Sequence, residues 1–527
     1  MNDKQAKIDD KNKPQKCFCG KDIYKDDKCI LHCEKSNDFF GRDEGRKEFY
    51  DALVVYIVEQ FSDVRYLPIS DYLKNPEHGL VTLQGNGVVE NIVKNKQVLF
   101  NKIFFPENRG SDIFNHEPIL QRLGKIEFCQ CEFVCSWIEL QDIECFFDEC
   151  VFHKSWSIGN FKILRNTNGV LYQRCIFKKS VSLYNTERET VQSFDADLFF
   201  NCCFYDKIEL SGINMEGKIF NNLYFESTIR EILISNCTFN SQFILNSATV
   251  ENFECRDTIF KDKVELTSNI FRNMTIIDTS FNKESNYFNT KFYEFEAIRT
   301  NFAGLVEFEK CEFGTVDNTG GKYVTYFAYV VFLSFTNFRD TIFLSGLNLR
   351  NITLKETPNF LGVKVQDKNT DRETYRIIKA SLDDQSNYIE ANEFYALEMK
   401  AKEQELKQTK GFSQDKFVFW LGGIISDHST NWLKALKWIF GFGVVMFFCY
   451  QWRTDNYAFD LDALFNYGQY YQGFIGFLDD FAKFMNPFSR KMDETVNTGY
   501  AIWLTHKVFS GFLVYHFIVS LRRNTKR

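Results

Sequence analysis

A constant spacing of 21 residues between phenylalanines is the feature that most constrains how this chain can fold. Four units end in a small residue, any residue and then Phe, and these markers end at Phe239, Phe260, Phe281 and Phe302. A pair of apolar residues such as Phe243 and Leu245 follows each of three markers at a spacing of two, which places both side chains on one face of a strand. A period of about 20 residues is typical of a stacked solenoid.

The repeat predicts short strands that are joined by tight corners and stacked coil upon coil. A unit of 21 residues is too short for two helices and their loops. One coil cannot bury its own Phe and Val face, so several coils must stack into a continuous apolar column. The alternative is an ordinary β-sandwich in which the Phe spacing is accidental, and three equal spacings in succession argue against it.

Further markers extend the predicted solenoid over residues 126–362, which corresponds to about ten coils. The earlier markers end at Phe133, Phe152, Phe177 and Phe204. Their wider spacing predicts inserted loops at 165–169 and 186–192. We expect the period to be interrupted at 314–322 and to resume at Phe338 and Phe343.

Most of the 16 cysteines lie in the repeats, where they often take the small-residue position of a marker. At that corner a cysteine serves as a small apolar residue under a bulky neighbour. The cysteines in question are Cys131, Cys150, Cys175, Cys202, Cys237 and Cys311. Unpaired thiols that stack along a core indicate a reducing compartment, so we expect this region to lie in the cytosol.

The recurring Cys-x-Phe or Thr-x-Phe marker, with a second apolar residue about five positions on, resembles the pentapeptide-repeat proteins and their degenerate relatives. The resemblance covers residues 126–362 and implies a right-handed parallel β-helix. The chain departs from that family in its 21-residue coils and in lacking the regular Ala-Asp/Asn-Leu pentads. The predicted fold class is therefore mainly β, a right-handed parallel β-helix solenoid followed by α-helices and a transmembrane helical hairpin.

The charge of the repeats argues against the role that the resemblance brings to mind. Some pentapeptide-repeat proteins inhibit DNA topoisomerases by presenting an acidic, DNA-like rod. Residues 125–356 hold 31 acidic and 23 basic side chains, whereas duplex DNA carries about one charge per 1.7 Å. The rod would therefore be a poor mimic of DNA, and the net charge of −7 also disfavours nucleic acid as a partner.

The N-terminal segment predicts a disordered tail at 1–15 and a small zinc knuckle at 16–40. Cys17, Cys19, Cys29, His32 and Cys33 offer five soft donors within 17 residues, enough for one tetrahedral zinc ion. We expect the four cysteines to bind, with His32 as the alternative ligand. Such a site would be closed and structural. The other interpretation is a set of unrelated exposed thiols.

Residues 41–124 predict a small α or mixed unit, with an amphipathic helix at 43–61. After the rod, Thr370 and Glu373 have the spacing of a capping box, and 370–410 predicts a helical hairpin. Its segment 387–399 resembles the helix that follows the repeats in membrane-associated pentapeptide-repeat proteins. We interpret its carboxylates Glu390, Glu393 and Glu398 as a solvated face or as caps of the last coil, not as a catalytic pair.

The C-terminal sequence predicts an interfacial segment at 411–432, transmembrane helices at 433–452 and 499–521, and a basic tail at 522–527. Cations flank the same side of both spans, so the positive-inside rule predicts that both ends are cytosolic and that the loop 453–498 lies outside. We therefore expect a multi-pass protein of the cell (inner) membrane. The alternative is two buried helices of a soluble domain.

Three ionisable residues lie in or near the second span and form a candidate intramembrane polar site: His506, Lys507 and His516. Ionisable groups at such depth are functional candidates, although polar contacts between helices explain them equally well.

The sequence has no phosphate-binding glycine loop, no His-Glu-x-x-His motif and no nucleophile elbow, so we expect a non-enzymatic protein. The first hypothesis is a membrane-anchored scaffold or sensor whose rod binds a protein partner, with the lipid bilayer as its second partner. The alternative is a homo-oligomeric pore or channel-like effector of a bacterial stress or antiphage response. A soluble DNA mimic is disfavoured by charge and by the predicted spans.

Overall fold

The structure is a computed structural model of the 527-residue chain. It describes residues 16–35, 43–64, 68–74, 86–107, 114–136, 138, 143–158, 162–163, 169–184, 192–221, 228–315, 325–366, 369–408, 413–454, 467–486, 488–489 and 499–525. The predicted tail at 1–15, most of both inserted loops, most of the loop 453–498 and the last two basic residues lie outside the described residues. The chain divides into a first unit of residues 1–359 and 363–369 and a second unit of residues 360–362 and 370–527.

The first unit begins with a small turn-rich knuckle and four helices. The helices are α1 Asp43–Glu59, α2 Ile69–Lys74, α3 Asn86–Asn95 and α4 Glu117–Leu120, with a 3-10 turn at Ser62–Val64. The bounds of α1 confirm the amphipathic helix predicted at 43–61, and its buried residues include Phe49, Leu53 and Ile57.

Short strands make up the rest of the first unit. The early strands are β1 Gln97–Asn101, β2 Phe104–Phe105, β3 Lys125–Cys129, β4 Glu132–Phe133, β5 Glu144–Asp148, β6 Val151–Phe152, β7 Trp156–Ser157, β8 Lys162–Ile163, β9 Val170–Gln173, β10 Ile176–Phe177, β11 Val181–Tyr184, β12 Gln192–Phe194, β13 Asp197–Phe200, β14 Cys203–Phe204, β15 Lys207–Ser211, β16 Ile213–Met215 and β17 Phe220–Asn221. The later strands are β18 Thr228–Ser235, β19 Thr238–Phe239, β20 Phe243–Ile244, β21 Thr249–Arg256, β22 Ile259–Phe260, β23 Val264–Glu265, β24 Ile270–Ile277, β25 Ser280–Phe281, β26 Ser285–Asn286, β27 Lys291–Ile298, β28 Asn301–Phe302, β29 Val306–Glu307, β30 Glu312–Phe313, β31 Thr325–Ala328, β32 Val331–Phe332, β33 Thr336–Asn337, β34 Ile342–Phe343, β35 Leu347–Asn348, β36 Thr353–Leu354 and β37 Lys364–Val365.

The strands form a parallel β-solenoid of about ten turns, as the repeat predicted. The successive coils contribute to five sheets, the longest of which has 12 strands in the path from β37 to β7 with two side pairings. Each strand of the run β18, β21, β24 and β27 pairs in parallel with the next one, 21 residues along. The predicted right-handed sense of the coil stays a prediction.

The small residue of each marker lies directly after a tight corner. The residue before it takes a left-handed conformation, as at Asp257 with φ 48° and Asn236 with φ 52°. Thr258 then donates its hydroxyl to the Arg256 carbonyl at 2.7 Å, and Cys237 donates its thiol to the Leu210 carbonyl of the coil below at 3.5 Å. Cys and Thr therefore recur because both are small and both can donate to the carbonyls that the corner leaves open.

The marker phenylalanines stack in a buried column, each one above its equivalent in the previous coil. The ring centroids of Phe239 and Phe260 are 4.8 Å apart, and those of Phe281 and Phe302 are 4.7 Å apart. These distances match the spacing of neighbouring strands, about 4.8 Å. The period of the sequence is thus the spacing of one coil.

The column continues from Phe302 to Phe332, and not to the markers that we expected after the interruption. Phe332 stacks on Phe302 at 5.2 Å, but Val330 replaces the small Cys or Thr of its marker, so the sequence hides it. Phe338 and Phe343 instead belong to two other columns, above Phe308 at 5.2 Å and above Phe313 at 4.9 Å.

The solenoid also begins one coil earlier than the predicted residue 126. Strand β1 pairs with β3, and β2 pairs with β4, so residues 97–105 form the first coil. Lys102 takes the left-handed corner with φ 57°. Ile103 stands where later coils have Cys or Thr, and the missing marker explains why this coil looked like part of a separate unit.

The second unit is helical. Its helices are α5 Arg372–Asp384, α6 Tyr388–Gln408, α7 Gln414–Ser426, α8 Trp432–Thr454, α9 Tyr467–Met485 and α10 Tyr500–Thr525. Helices α5 and α6 form the predicted hairpin, although the N-cap is Asp371, whose carboxylate accepts the Thr374 N–H at 2.9 Å, and not Thr370. Helices α8 and α10 pack side by side, and α7 and α9 lie against them.

Candidate functional site

The knuckle consists of three tight turns that fold its donors inward. Cys17 accepts the N–H of Gly20 at 2.8 Å, and Gly20 has a φ of +81° that favours glycine. A second turn passes through Asp26 and Asp27, both left-handed. A third turn follows Cys29, whose carbonyl accepts the His32 N–H at 3.0 Å.

These turns bring Cys17, Cys19, Cys29 and His32 together, with one donor atom of each within 4.8 Å of all the others. His32 Nδ1 lies 3.1 Å from Cys29 Sγ and 3.4 Å from Cys17 Sγ. Cys19 Sγ lies 3.5 Å from Cys29 Sγ. Zinc bonds of 2.0–2.3 Å in a tetrahedron place donor atoms about 3.5–3.8 Å apart. The donor set therefore fits one four-coordinate zinc ion by distance and by chemistry.

The structure corrects the expected ligand set, because His32 and not Cys33 completes the cluster. In the turn after Cys29, the third residue on points back toward the first, which brings His32 to Cys29. Cys33 is one residue further on, and its thiol points at the Ile30 carbonyl, 3.8 Å away. The fifth donor is thus buried against the main chain outside the cluster.

His32 is held in the form that binds a metal. Burial lowers the pKa of His32 to about 4, against an opposing hydrogen bond to the backbone of Asn101. The imidazole is therefore neutral at pH 7. Because Nδ1 points at the sulfurs, Nε2 is left to donate to Asn101, and such a bond to a carbonyl fixes the ligating nitrogen. Asn101 ends β1, so this bond ties the cluster to the first coil of the rod.

A buried lysine closes the same junction. The Lys35 ammonium donates to the carbonyls of Leu31, Cys33 and Phe104 at 3.0, 3.1 and 2.7 Å. Burial lowers the pKa of Lys35 to about 7, against the charges of Cys33 and Cys29. Zinc with three thiolates and a neutral imidazole carries a net charge of −1, which favours an ammonium nearby.

The knuckle and α1 also block the open edge of the solenoid. The Gln60 side chain accepts the N–H of Leu99 at 3.0 Å and donates to its carbonyl at 2.9 Å, as a neighbouring strand would. On the next strand, the N–H of Phe104 donates to the Leu31 carbonyl at 2.9 Å. An unpaired edge strand would otherwise invite pairing with another chain. The metal cluster is therefore part of an end cap, a structural position without an open coordination site.

The second unit holds two helices, among the described residues, that are long and apolar enough to cross a membrane by length and composition. They cover Trp432–Trp452 and Tyr500–Arg523, and only 17% of the apolar window of each is buried inside the chain. Core helices of soluble proteins are mostly buried, whereas these present apolar side chains outward, among them Phe440, Val445, Val508 and Tyr515.

The three ionisable residues of the second span do not form one site. His506 is fully buried, its Nε2 lies 2.9 Å from Ser510 Oγ, and its ring stacks on Phe484 of α9 at 4.2 Å. The Lys507 ammonium donates to the Phe484 carbonyl at 2.9 Å and also to the Asn486 carbonyl, so it caps the C-terminus of α9. His516 lies about 15 Å further along the helix, where its Nδ1 is 3.4 Å from Ser426 Oγ.

The carboxylates after the rod have structural partners. Glu390 accepts the N–H of Gly362 at 3.0 Å. Glu398 is buried between Arg372 at 3.7 Å and Lys379 at 3.9 Å. These contacts agree with the interpretation of Glu390 as a cap at the end of the coils and place Glu398 inside the α5–α6 hairpin.

Comparisons with known proteins leave the chain without a relative. No protein-family model matches it, and neither the curated proteins nor the solved structures contain a match. The resemblance to pentapeptide-repeat proteins therefore stays a prediction that rests on the markers.

Sequence reasoning missed the residues that join the knuckle to the rod. Gln60 lies on the helix that the apolar spacing predicted, but no local pattern marks a side chain that replaces a strand. Lys35 follows the last cysteine by two residues, and its burial depends on Phe49 and Phe104, whose rings lie 4.8 and 5.2 Å from its ammonium.

Proposed function

We propose that the protein is a membrane-anchored, non-enzymatic scaffold or sensor whose solenoid binds a protein partner. The observation that carries the proposal is the pair of apolar helices, α8 and α10, which pack on each other and turn most of their apolar side chains outward in a chain that also carries a long solenoid. A bilayer is the environment in which such outward apolar surface is stable. The end cap would then hold zinc as a structural ion.

The charges of the rod support a protein partner over DNA mimicry. Arg299 binds Asp278 of the coil below with two contacts of 2.6 Å. Lys263 lies 3.3 Å from Glu284 of the next coil. Cations and carboxylates of neighbouring coils are thus interleaved, whereas a DNA mimic needs a continuous acidic face. A mixed, corrugated surface suits recognition of another protein.

The polar residues of the second span favour the anchor over the pore. His506 is fully buried between helices of a single copy, and Lys507 is used to cap α9. A pore formed by several copies would need polar groups on a surface that faces the other copies or a water-filled channel. Homo-oligomeric pore formation therefore remains the second hypothesis.

Cell fractionation tests the anchor. We expect the full chain in the membrane fraction, resistant to high salt and to alkaline carbonate and released by detergent. The matched variant is a truncation after residue 369, which keeps the first unit and removes both spans, and we expect it in the soluble fraction. Recovery of the full chain as a soluble protein would overturn the proposal. A pull-down with the truncated rod would then identify the partner.

A further inference from the structure

The C-terminal turns of α6 and the N-terminal turns of α7 enclose an amphipathic groove in the second unit. The groove has a volume of about 380 Å³. Lys407 and Lys416 contribute the cations, and Leu406, Phe417, Phe419 and Trp420 contribute apolar walls. Glu403 lies at one end, where it pairs with Lys407 at 2.9 Å. The lining thus carries a net positive charge beside a mainly aromatic surface.

Helix α7 presents apolar side chains to the surroundings instead of to its own unit. Val418 is 65% exposed and Trp420 is 55% exposed, whereas Gly422, Ile425 and Ser426 are buried. The rings of Phe417 and Trp420 lie 6.0 Å apart on the exposed side. An apolar face of this kind beside basic residues is typical of a helix that lies in the membrane interface.

The position of α7 is fixed relative to the first candidate span. Trp438 donates its indole N–H to the Ile424 carbonyl at 2.9 Å, and Lys434 donates to the Gly423 carbonyl at 2.9 Å. Three consecutive left-handed residues, Asp427, His428 and Ser429, form the turn between α7 and α8. Because α8 starts with the basic residues that the positive-inside rule places in the cytosol, α7 lies at the cytosolic leaflet if α8 spans the membrane.

We propose that this groove binds one anionic phospholipid of the cytosolic leaflet, with the phosphate between Lys407 and Lys416 and an acyl chain along Phe417 and Trp420. The inference rests on the membrane anchoring proposed above. The N-terminus of α7, where the Ser413 hydroxyl accepts the Lys416 N–H at 3.2 Å, adds the positive end of a 13-residue helix. Cations at one end and aromatic walls at the other match the two parts of a lipid.

Native mass spectrometry of the full chain in a neutral detergent tests the site. The protein is titrated with phosphatidylglycerol, with phosphatidylcholine of the same acyl chains, and with glycerol 1-phosphate as the free headgroup. We expect one phosphatidylglycerol to bind preferentially, and glycerol 1-phosphate to bind far more weakly because it lacks the acyl chain. In Lys407→Gln/Lys416→Gln we expect the affinity for phosphatidylglycerol to fall on the order of tenfold.

Lys261→Gln/Lys283→Gln is the control, since it removes the same charge from the rod, and we expect it to bind like wild type. Equal affinity for the two lipids, or wild-type affinity in Lys407→Gln/Lys416→Gln, would overturn the lipid site. Trp420→Gln keeps the cations and should lose the preference of the lipid over glycerol 1-phosphate; retention of that preference would contradict the acyl-chain position. A chain that stays soluble without detergent overturns the anchoring, whereas a membrane protein without lipid preference overturns only the site.

Discussion

The metal cluster makes a prediction that separates two neighbouring residues. We expect wild-type protein to bind one zinc ion per chain, and Cys29→Ser and His32→Ala to lose it, because each removes a donor of the tetrahedron. Cys33→Ser should keep it, since the Cys33 thiol points at the Ile30 carbonyl. Zinc is measured by elemental analysis of the purified chain.

The Cys33→Ser variant is the matched control, because it removes one thiol from the same turn. Zinc loss in Cys33→Ser with retention in His32→Ala would restore the four-cysteine set that the sequence favoured. The sequence located the cluster and its size but not its fourth ligand. Spacing leaves His32 and Cys33 equivalent, and only the direction of the turn after Cys29 decides between them.

His116 predicts how acid affects the cap. Burial lowers its pKa to about 3, with Lys35 adding to the effect, and its ring packs against Phe49 and Phe105. The unfolded chain would protonate His116 below about pH 6.5 while the folded chain would not. Stability is therefore present above pH 6.5 and falls as the pH drops toward 3, by at most about 1.4 kcal/mol per pH unit.

The window from pH 7 to pH 5 reports mainly on histidine, because most carboxylates titrate below it. We expect His116→Phe, which keeps an aromatic ring, to lose less thermal stability than wild type between these two pH values. The two proteins are compared by their unfolding temperatures in the same detergent. An identical acid-induced decrease in both would show that His116 does not carry the effect.

At the scale of the element, the stacked column is where sequence and structure agree most closely. A coil must return to the same corner after each turn, so equal spacing from Phe239 to Phe302 is a direct image of the stacking. The agreement ends where a coil has no small residue before its Phe. Ile103 and Val330 fill that place in the first coil and in the coil of Phe332, so packing keeps the Phe while the marker disappears.

The column predicts unequal costs for two neighbouring side chains. Phe281 is buried between Phe260 and Phe302, at centroid distances of 4.9 and 4.7 Å, and Phe281→Ala would leave a cavity that costs about 3–5 kcal/mol. We expect the unfolding temperature of the rod to fall on the order of 10 °C. Ile259→Ala is the control, since Ile259 is 41% exposed on the outer face of the same sheet.

A loss for Ile259→Ala as large as that for Phe281→Ala would contradict a continuous buried column. Circular dichroism at a strand wavelength follows both variants. The truncated first unit can be compared with the full chain in the same experiment, and it should show the same difference between the variants.

For the whole molecule, the sequence predicted both kinds of unit but placed one boundary wrongly. Apolar length and flanking cations are local properties, so the helices at Trp432–Thr454 and Tyr500–Thr525 could be read directly. The end cap could not be predicted in this way, because Gln60, Leu31 and Lys35 are joined to β1 and β2 only through the tertiary fold. Residues 97–105 therefore looked like part of a preceding unit although they form the first coil.

The orientation of the helical unit gives the last prediction. Lys434 and Lys437 precede one span and Arg522 and Arg523 end the other, so the positive-inside rule places these ends in the cytosol. In a Cys449→Ser background, we expect Phe488→Cys to react with a membrane-impermeant maleimide on intact cells or spheroplasts, because Phe488 lies beyond α9 and is 92% exposed. Asp383→Cys, exposed on α5, should react only after the membrane is permeabilised. Labelling of Asp383→Cys alone before permeabilisation would reverse the orientation, and equal labelling of both would argue against a membrane hairpin.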